Sequence, residues 1–182
     1  RVDRMLVAVN ERQQATQTFM RLLDAQPLRQ FHSAHLNADV AVLALGESEL
    51  ELCEPTGDGP VAQHLAQRGE GLLAAGYATS QLDALAQRLA AQQVPLARDD
   101  GRIYLPGSST AGFPMVISAL QARPRVGPIS FFYEATNTLQ TDWREVQQRY
   151  VSMFDLDASR FSPISSKLFG YDGTLTLFDP AQ

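Results

Sequence analysis

The sequence predicts an α+β fold built from repeated units, each made of a strand, a helix and further strands. Three times along the chain an apolar strand is followed by a capped amphipathic helix, and two of these units close alike, with ELELCEP at 49–55 and TLTLFDP at 174–180. Such repetition marks a recurring supersecondary unit and decides architecture before any single residue does. A unit of about fifty residues with one helix and a half-exposed sheet cannot bury its own apolar face, so the units must pair. The cleft between paired units is then the expected functional site.

An apolar strand at 5–9 opens the first unit. Asn10, with Gln13 three positions later, reads as a capping box, and Ala15, Phe19, Leu22 and Leu23 form one stripe of the helix that follows. After Pro27, strands are expected at 28–35, 40–45 and 49–53, with residues 46–48 as the hairpin turn between the last two. A loop at 54–60 leads into a short helix at 61–68, stopped by Gly69 and Gly71. The order then restarts. A strand at 72–79 is followed by Ser80 as cap and a helix whose Leu82, Leu85, Ala86 and Leu89 share a stripe. Strands follow at 95–98, 102–105 and 115–120, with Asp99, Asp100 and Gly101 forming a tight turn. The loop at 106–114, rich in Gly, Ser and Thr, is long enough to be a mobile pocket edge.

Pro124 and Pro128 around two arginines mark a linker at 123–128, which divides a two-unit domain, 1–122, from a third, partial unit, 129–182. That unit begins with the aromatic strand ISFFYE at 129–134. Its helix is capped by Asp142 with Glu145 three residues on, and carries Trp143, Val146, Tyr150 and Phe154 inward. Only two later strands are expected, at 164–169 and 174–178, so the unit is one strand short. A lone unit leaves a sheet face and edge bare, which predicts a homodimer or a truncated tandem protein.

Composition narrows the function. With 45% hydrophobic and 19% charged residues the chain is globular rather than disordered. It has no apolar run of about eighteen residues, and so no predicted membrane span, and no secretory leader pattern; a cytoplasmic location is expected. A net charge of −5 and a pI near 5.1 exclude an electrostatic nucleic-acid footprint and favour a small-molecule partner. The single cysteine, Cys53, lies in an alternating apolar strand, as a buried inert thiol in a reducing compartment would. Fourteen of the fifteen basic residues are Arg, a bias that points to a bacterial source. No phosphate loop, dinucleotide fingerprint, nucleophile elbow or calcium loop occurs, so no cofactor is predicted. His32 and His35 fall on opposite faces of a regular strand, and His64 is read as an exposed or capping imidazole rather than a ligand.

RGEGL at 68–72 followed by a strand and QLDAL at 81–85, together with LELCEP at 50–55 and VAQHL at 61–65, resemble the vicinal oxygen chelate superfamily, in its epimerase and glyoxalase-like branch. The resemblance implies two βαβββ modules forming a cup-shaped mixed sheet with helices outside, plus the third partial module. It also implies a divalent metal held by His, Glu or Gln on the first and last strand of each module. Placed on this sequence, the first His position is Arg4, in VDR at 2–4. The acid closing the first module is Glu51, or Glu49 if the register slips. Leu73 and Ala74 stand at the second module's His pair, and Ser118 stands where its closing Glu is expected.

A cation and neutral groups cannot replace such ligands, so no metal is predicted. Arg4 is then either a solvated strand-end residue or a pocket guanidinium in the metal's place, facing Glu51 and binding an anionic ligand bidentately. Glu51 is the candidate catalytic carboxylate. Arg4, Ser118 and the aromatic residues Tyr77 and Tyr104 are the candidate substrate contacts. The resemblance implies either a lyase or isomerase acting on a small anionic metabolite with a degenerate metal site, or a non-catalytic bleomycin-resistance-type binding protein.

Overall fold

In the computed structural model the residues described are 2–124, 126, 143–157, 159, 162–166 and 171–175. The first module comprises β1 (Val2–Ala8), α1 (Arg12–Leu23), β2 (Gln26–Ser33), β3 (Ala38–Leu45) and β4 (Ser48–Pro55). A connecting helix, α2 (Pro60–Arg68), leads to the second module, β5 (Gly71–Thr79), α3 (Leu82–Ala91), β6 (Ala97–Asp99), β7 (Arg102–Leu105) and β8 (Met115–Ala119). All eight strands join one sheet in the order β2-β3-β4-β1-β5-β8-β7-β6. The modules are therefore mirrored about the antiparallel β1/β5 seam, each with its first strand parallel to its last. The sheet curls into a half-barrel, the predicted α+β cup.

Side chains alternate across a strand, and here the alternation sorts the chain into a cup face and an outer face. Leu6 and Ala8 of β1, Val40 and Val42 of β3, Tyr104 of β7 and Val116 of β8 share one cluster on the cup face, joined by Val61 of α2. Outside the first module, Leu43, Leu50 and Leu52 pack with Ala15, Phe19 and Leu23 of α1. Leu22, placed by its spacing on the same stripe, lies at the stripe's edge and is 65% exposed. Outside the second module, Ile103, Leu105 and Ile117 pack with Leu85, Ala86 and Leu89 of α3.

The caps sit one residue later than the spacing suggests. Glu11 rather than Asn10 precedes α1, and Gln81 rather than Ser80 precedes α3, neither with a side-chain capping bond. Asp100 and Gly101 both have positive φ, 47° and 70°, as a two-residue hairpin turn requires.

Past the cup, α4 (Trp143–Phe154) and a hairpin of β9 (Ser162–Ser166) and β10 (Tyr171–Leu175) follow. Val146, Tyr150 and Met153 of α4 enter the same core as α3, and the Tyr150 hydroxyl donates to the Thr110 carbonyl at 2.7 Å. This ties down the 106–114 loop, which also closes on itself through Gly112 N to Gly107 O at 2.6 Å. The segment read as a linker is likewise engaged: Val126 bridges Gly46, and Arg123 reaches into the cup. The aromatic strand expected at 129–134, the Asp142 cap and the final residues of the last predicted strand lie outside the described residues. No helix among the described residues is long and apolar enough to cross a membrane.

Candidate functional site

The centre of the cup holds ionised side chains where its flanks are apolar. Arg4 is 3% exposed and Glu51 is fully buried. The Arg4 guanidinium donates from Nη1 to Glu51 Oε1 at 3.0 Å, from Nη2 to Ser118 Oγ at 2.7 Å and from Nε to Asp3 Oδ2 at 3.0 Å. The second Glu51 oxygen accepts from Arg102 Nη1 at 2.8 Å, and the Arg102 guanidinium lies 5.0 Å from the centre of the Phe31 ring. A β-bulge brings Asp3 into the group: β1 pairs Val2 with Tyr77 and Arg4 with Gly76, leaving Asp3 as the extra residue. Asp3 is bound in turn by Arg123, with Nη2 to Oδ2 at 3.0 Å.

Glu49, on the same face as Glu51, takes a two-pronged bond from Arg29 at 2.7 and 3.0 Å and a further contact from Arg123 Nε at 3.3 Å. Burial pushes the Glu49 carboxyl up, but the Arg29 bonds and the charges of Arg123 and Arg4 outweigh it and hold its pKa below the usual value. Four guanidiniums thus enclose three carboxylates. Removing these charges from water is costly, and only mutual pairing with filled hydrogen bonds offsets that cost.

Gly76 makes room for this arrangement. A Cβ at that position would lie 1.9 Å from Arg4 Cγ and 2.8 Å from Arg4 Cδ. The register also identifies the fourth ligand place implied by the resemblance. Leu6 pairs with Glu51 and Arg4 precedes it by two residues; Ala78 pairs with Ser118 and Gly76 precedes it by two. Gly76, not Leu73 or Ala74, is therefore the counterpart of Arg4, and the Arg4 side chain fills the space it leaves. The four places hold a guanidinium, a carboxylate committed to two guanidiniums, a hydroxyl and a glycine. A divalent ion needs deprotonated oxygens or neutral imidazoles with free lone pairs, so these residues do not fit the implied metal. Among the described residues no group of three or more His, Cys, Asp and Glu is placed to hold one.

One step along the strands the cup face changes character. Leu6, Ala74, Tyr104 and Val116 follow or precede the charged row by two residues, about 6.6 Å of strand, and they line a pocket of about 540 Å³. Leu36, Leu73, Leu96, Phe113 and Met115 complete its apolar surface, while α2 forms one wall with Gln63, His64, Gln67 and Arg68. The His35 ring lies 4.2 Å from that of Tyr104, and burial lowers the His35 pKa despite the nearby Asp99. Burial likewise raises the Tyr104 pKa.

Of the residues singled out from the sequence, the fold brings Arg4, Glu51 and Ser118 together and puts Tyr104 in the adjoining pocket. Tyr77 is elsewhere. Because Gly76 faces the cup, alternation turns Tyr77 outward into the core with Leu85 and Ile117. His32 is exposed and pairs with Asp39 at 3.0 Å. Cys53 is fully buried, and burial together with the Glu51 charge raises its pKa, as an inert thiol requires. Sequence reasoning missed Asp3, Arg29, Arg102 and Arg123 in the cluster, and the His64 and Arg68 wall of the pocket. Arg102 did leave a signal: a charge two residues from Tyr104 in a strand otherwise apolar.

A family model described as the Glyoxalase/Bleomycin resistance protein/Dioxygenase superfamily matches residues 3–111. No curated protein matches the sequence. Among solved structures, a methylmalonyl-CoA epimerase from Mycobacterium tuberculosis is similar at 20% identity and a TM-score of 0.59, over 66% of this chain and 88% of that one. A Streptomyces coelicolor methylmalonyl-CoA epimerase in complex with 2-nitronate-propionyl-CoA gives 21% identity and a TM-score of 0.59, over 68% and 98%. A hypothetical protein from Bacillus halodurans gives 19% and 0.56, over 68% and 96%. Likeness at this level establishes the shared fold.

Proposed function

The chain belongs to the glyoxalase, bleomycin resistance protein and dioxygenase superfamily, and we propose that within it this protein is a metal-independent binding protein whose cup holds a small organic molecule without transforming it. The observation that carries this reading is the commitment of the central charges to one another. Both Glu51 oxygens accept from guanidiniums, and each of the three Arg4 guanidinium nitrogens donates, to Asp3, Glu51 or Ser118. A carboxylate so bound and fully buried is poorly placed to move a substrate proton, which needs a base within hydrogen-bond reach of the reacting atom. The guanidinium, equally engaged, supports the cup and leaves ligand contact to the apolar pocket beside it. Concave, mostly apolar pockets with a few polar groups are the usual small-molecule sites.

A thermal-shift screen over small carboxylates, thioesters and aromatic compounds tests the reading. A true ligand present at a hundredfold excess over its Kd adds about 2.7 kcal/mol, a rise on the order of 5–10 °C for a chain of this size. It is expected to be recovered unchanged after prolonged incubation. Ala97→Trp, which fills the pocket from β6, is expected to abolish the shift. Conversion of a stabilising compound to product, lost in Glu51→Gln, would overturn the binding reading in favour of catalysis.

A further inference from the structure

The walls of the pocket are electrically one-sided. Among the described residues no Asp or Glu lines it, although acids outnumber bases twenty to fifteen in the chain as a whole. Its ionisable lining consists of Arg68, His35, His64 and Tyr104. Arg68 stands one turn beyond His64 on α2, on the same helix face, with Gln63 and Gln67 beside them at the same four-residue spacing. The other basic residues of the cup are bound to carboxylates, whereas no ion pair occupies Arg68 among the described residues. Asp99, beside the pocket residue His35, accepts from the His35 backbone N–H at 3.0 Å.

Opposite the α2 wall the surface is hydrocarbon: Leu6, Leu73, Met115 and Val116 from the sheet, with Leu96 and Phe113 from the loops. A basic residue in the last turn of a helix is favoured by the helix dipole alone, but the dipole does not explain why no acid lines the walls among the described residues. From this juxtaposition we propose that the ligand is an amphiphilic anion, its apolar body on the sheet and its carboxylate or sulfonate head against Arg68 and the amides of α2. This inference rests on the binding reading above and specifies its ligand class. It also moves the anion-binding role from Arg4, whose guanidinium nitrogens are engaged by Asp3, Glu51 and Ser118, to the exposed guanidinium of Arg68.

Two dyes of matched shape separate the inference from the reading beneath it. Anilinonaphthalene sulfonate carries the anionic head; its parent, phenylnaphthylamine, has the same body and no charge. Fluorescence titrations are expected to give about fivefold tighter binding of the sulfonate, the upper end of what an exposed ion pair supplies. High salt should shrink the preference, and Arg68→Gln should lower the sulfonate's affinity to that of the parent. Equal affinities, or a preference that survives Arg68→Gln, would overturn the anionic ligand class while leaving a neutral apolar ligand in the cup. Binding of both dyes that persists undiminished in Ala97→Trp would place them outside the pocket and overturn both.

Discussion

Replacing Glu51 by Leu is expected to destabilise the fold by about 3–5 kcal/mol, the usual cost of deleting one partner from a buried ion pair. The substitution is close in volume and leaves an apolar side chain among Leu6, Val42 and Cys53, so packing alone predicts a small change. Electrostatics predicts the opposite. Glu51 is the carboxylate shared by Arg4 and Arg102, at 3.0 and 2.8 Å. Without it two buried guanidiniums face each other with no anion between them. Urea unfolding should show the midpoint falling with the slope unchanged. Glu51→Gln, which keeps the shape and one oxygen acceptor, should fall between the two. A Glu51→Leu protein as stable as the parent would mean that the cluster is solvated and energetically idle.

Gly76→Ala should be nearly as damaging, for a steric reason that has an electrostatic consequence. The added Cβ would sit 1.9 Å from Arg4 Cγ, far inside contact distance, with the Arg4 carbonyl oxygen at 3.1 Å. The strand backbone is held between β1 and β8, so the Arg4 side chain must leave the groove and abandon Glu51 and Ser118. A loss of roughly 2–4 kcal/mol is expected, in the range for breaking a buried charge network. In an Arg4→Ala background there is no long side chain to displace, and only the 3.1 Å approach to the carbonyl oxygen of residue 4 remains, so the same substitution should cost much less. A double-mutant cycle would read this as strong non-additivity. Additive losses would show that Gly76 is needed for some reason other than the passage of Arg4.

Much of the fold was legible because the strands of this chain bury their alternate residues on different things. The runs at 40–45, 102–105 and 115–120 coincide within two residues with β3, β7 and β8, and the hairpins fall where Gly46 and Gly101 suggest. The candidate site was legible in part. Arg4, Glu51 and Ser118 could be placed by resemblance, but which residue of β5 faces Arg4 depends on a bulge at Asp3 that no local pattern announces. One residue of uncertainty in that register moves Tyr77 from the cup to the outer core, and a shift of two moves the fourth ligand place from Ala74 to Gly76.

Arg102, Arg29 and Arg123 went unread for a related reason. Each comes from a different part of the chain, and only the curled sheet and the returning segment after β8 bring them to one group of carboxylates. Arg123 was hidden by its own neighbourhood, where Pro124 and Pro128 spell a linker. The pocket wall on α2 was obscured in another way. His64 and Arg68 look like an ordinary solvated helix face until the opposite side is seen to be hydrocarbon.

The account turns on a guanidinium, Arg4, standing where the resemblance implies a metal ligand, and elemental analysis tests it most directly. Protein produced in medium supplemented with Zn, Ni, Mn, Co and Fe, and purified without chelator, is expected to carry far less than one equivalent of any of them. Its melting temperature should be the same with EDTA as with excess metal. Near-stoichiometric metal that raises the melting temperature, and that is lost on replacing Glu51, would contradict the account at its centre.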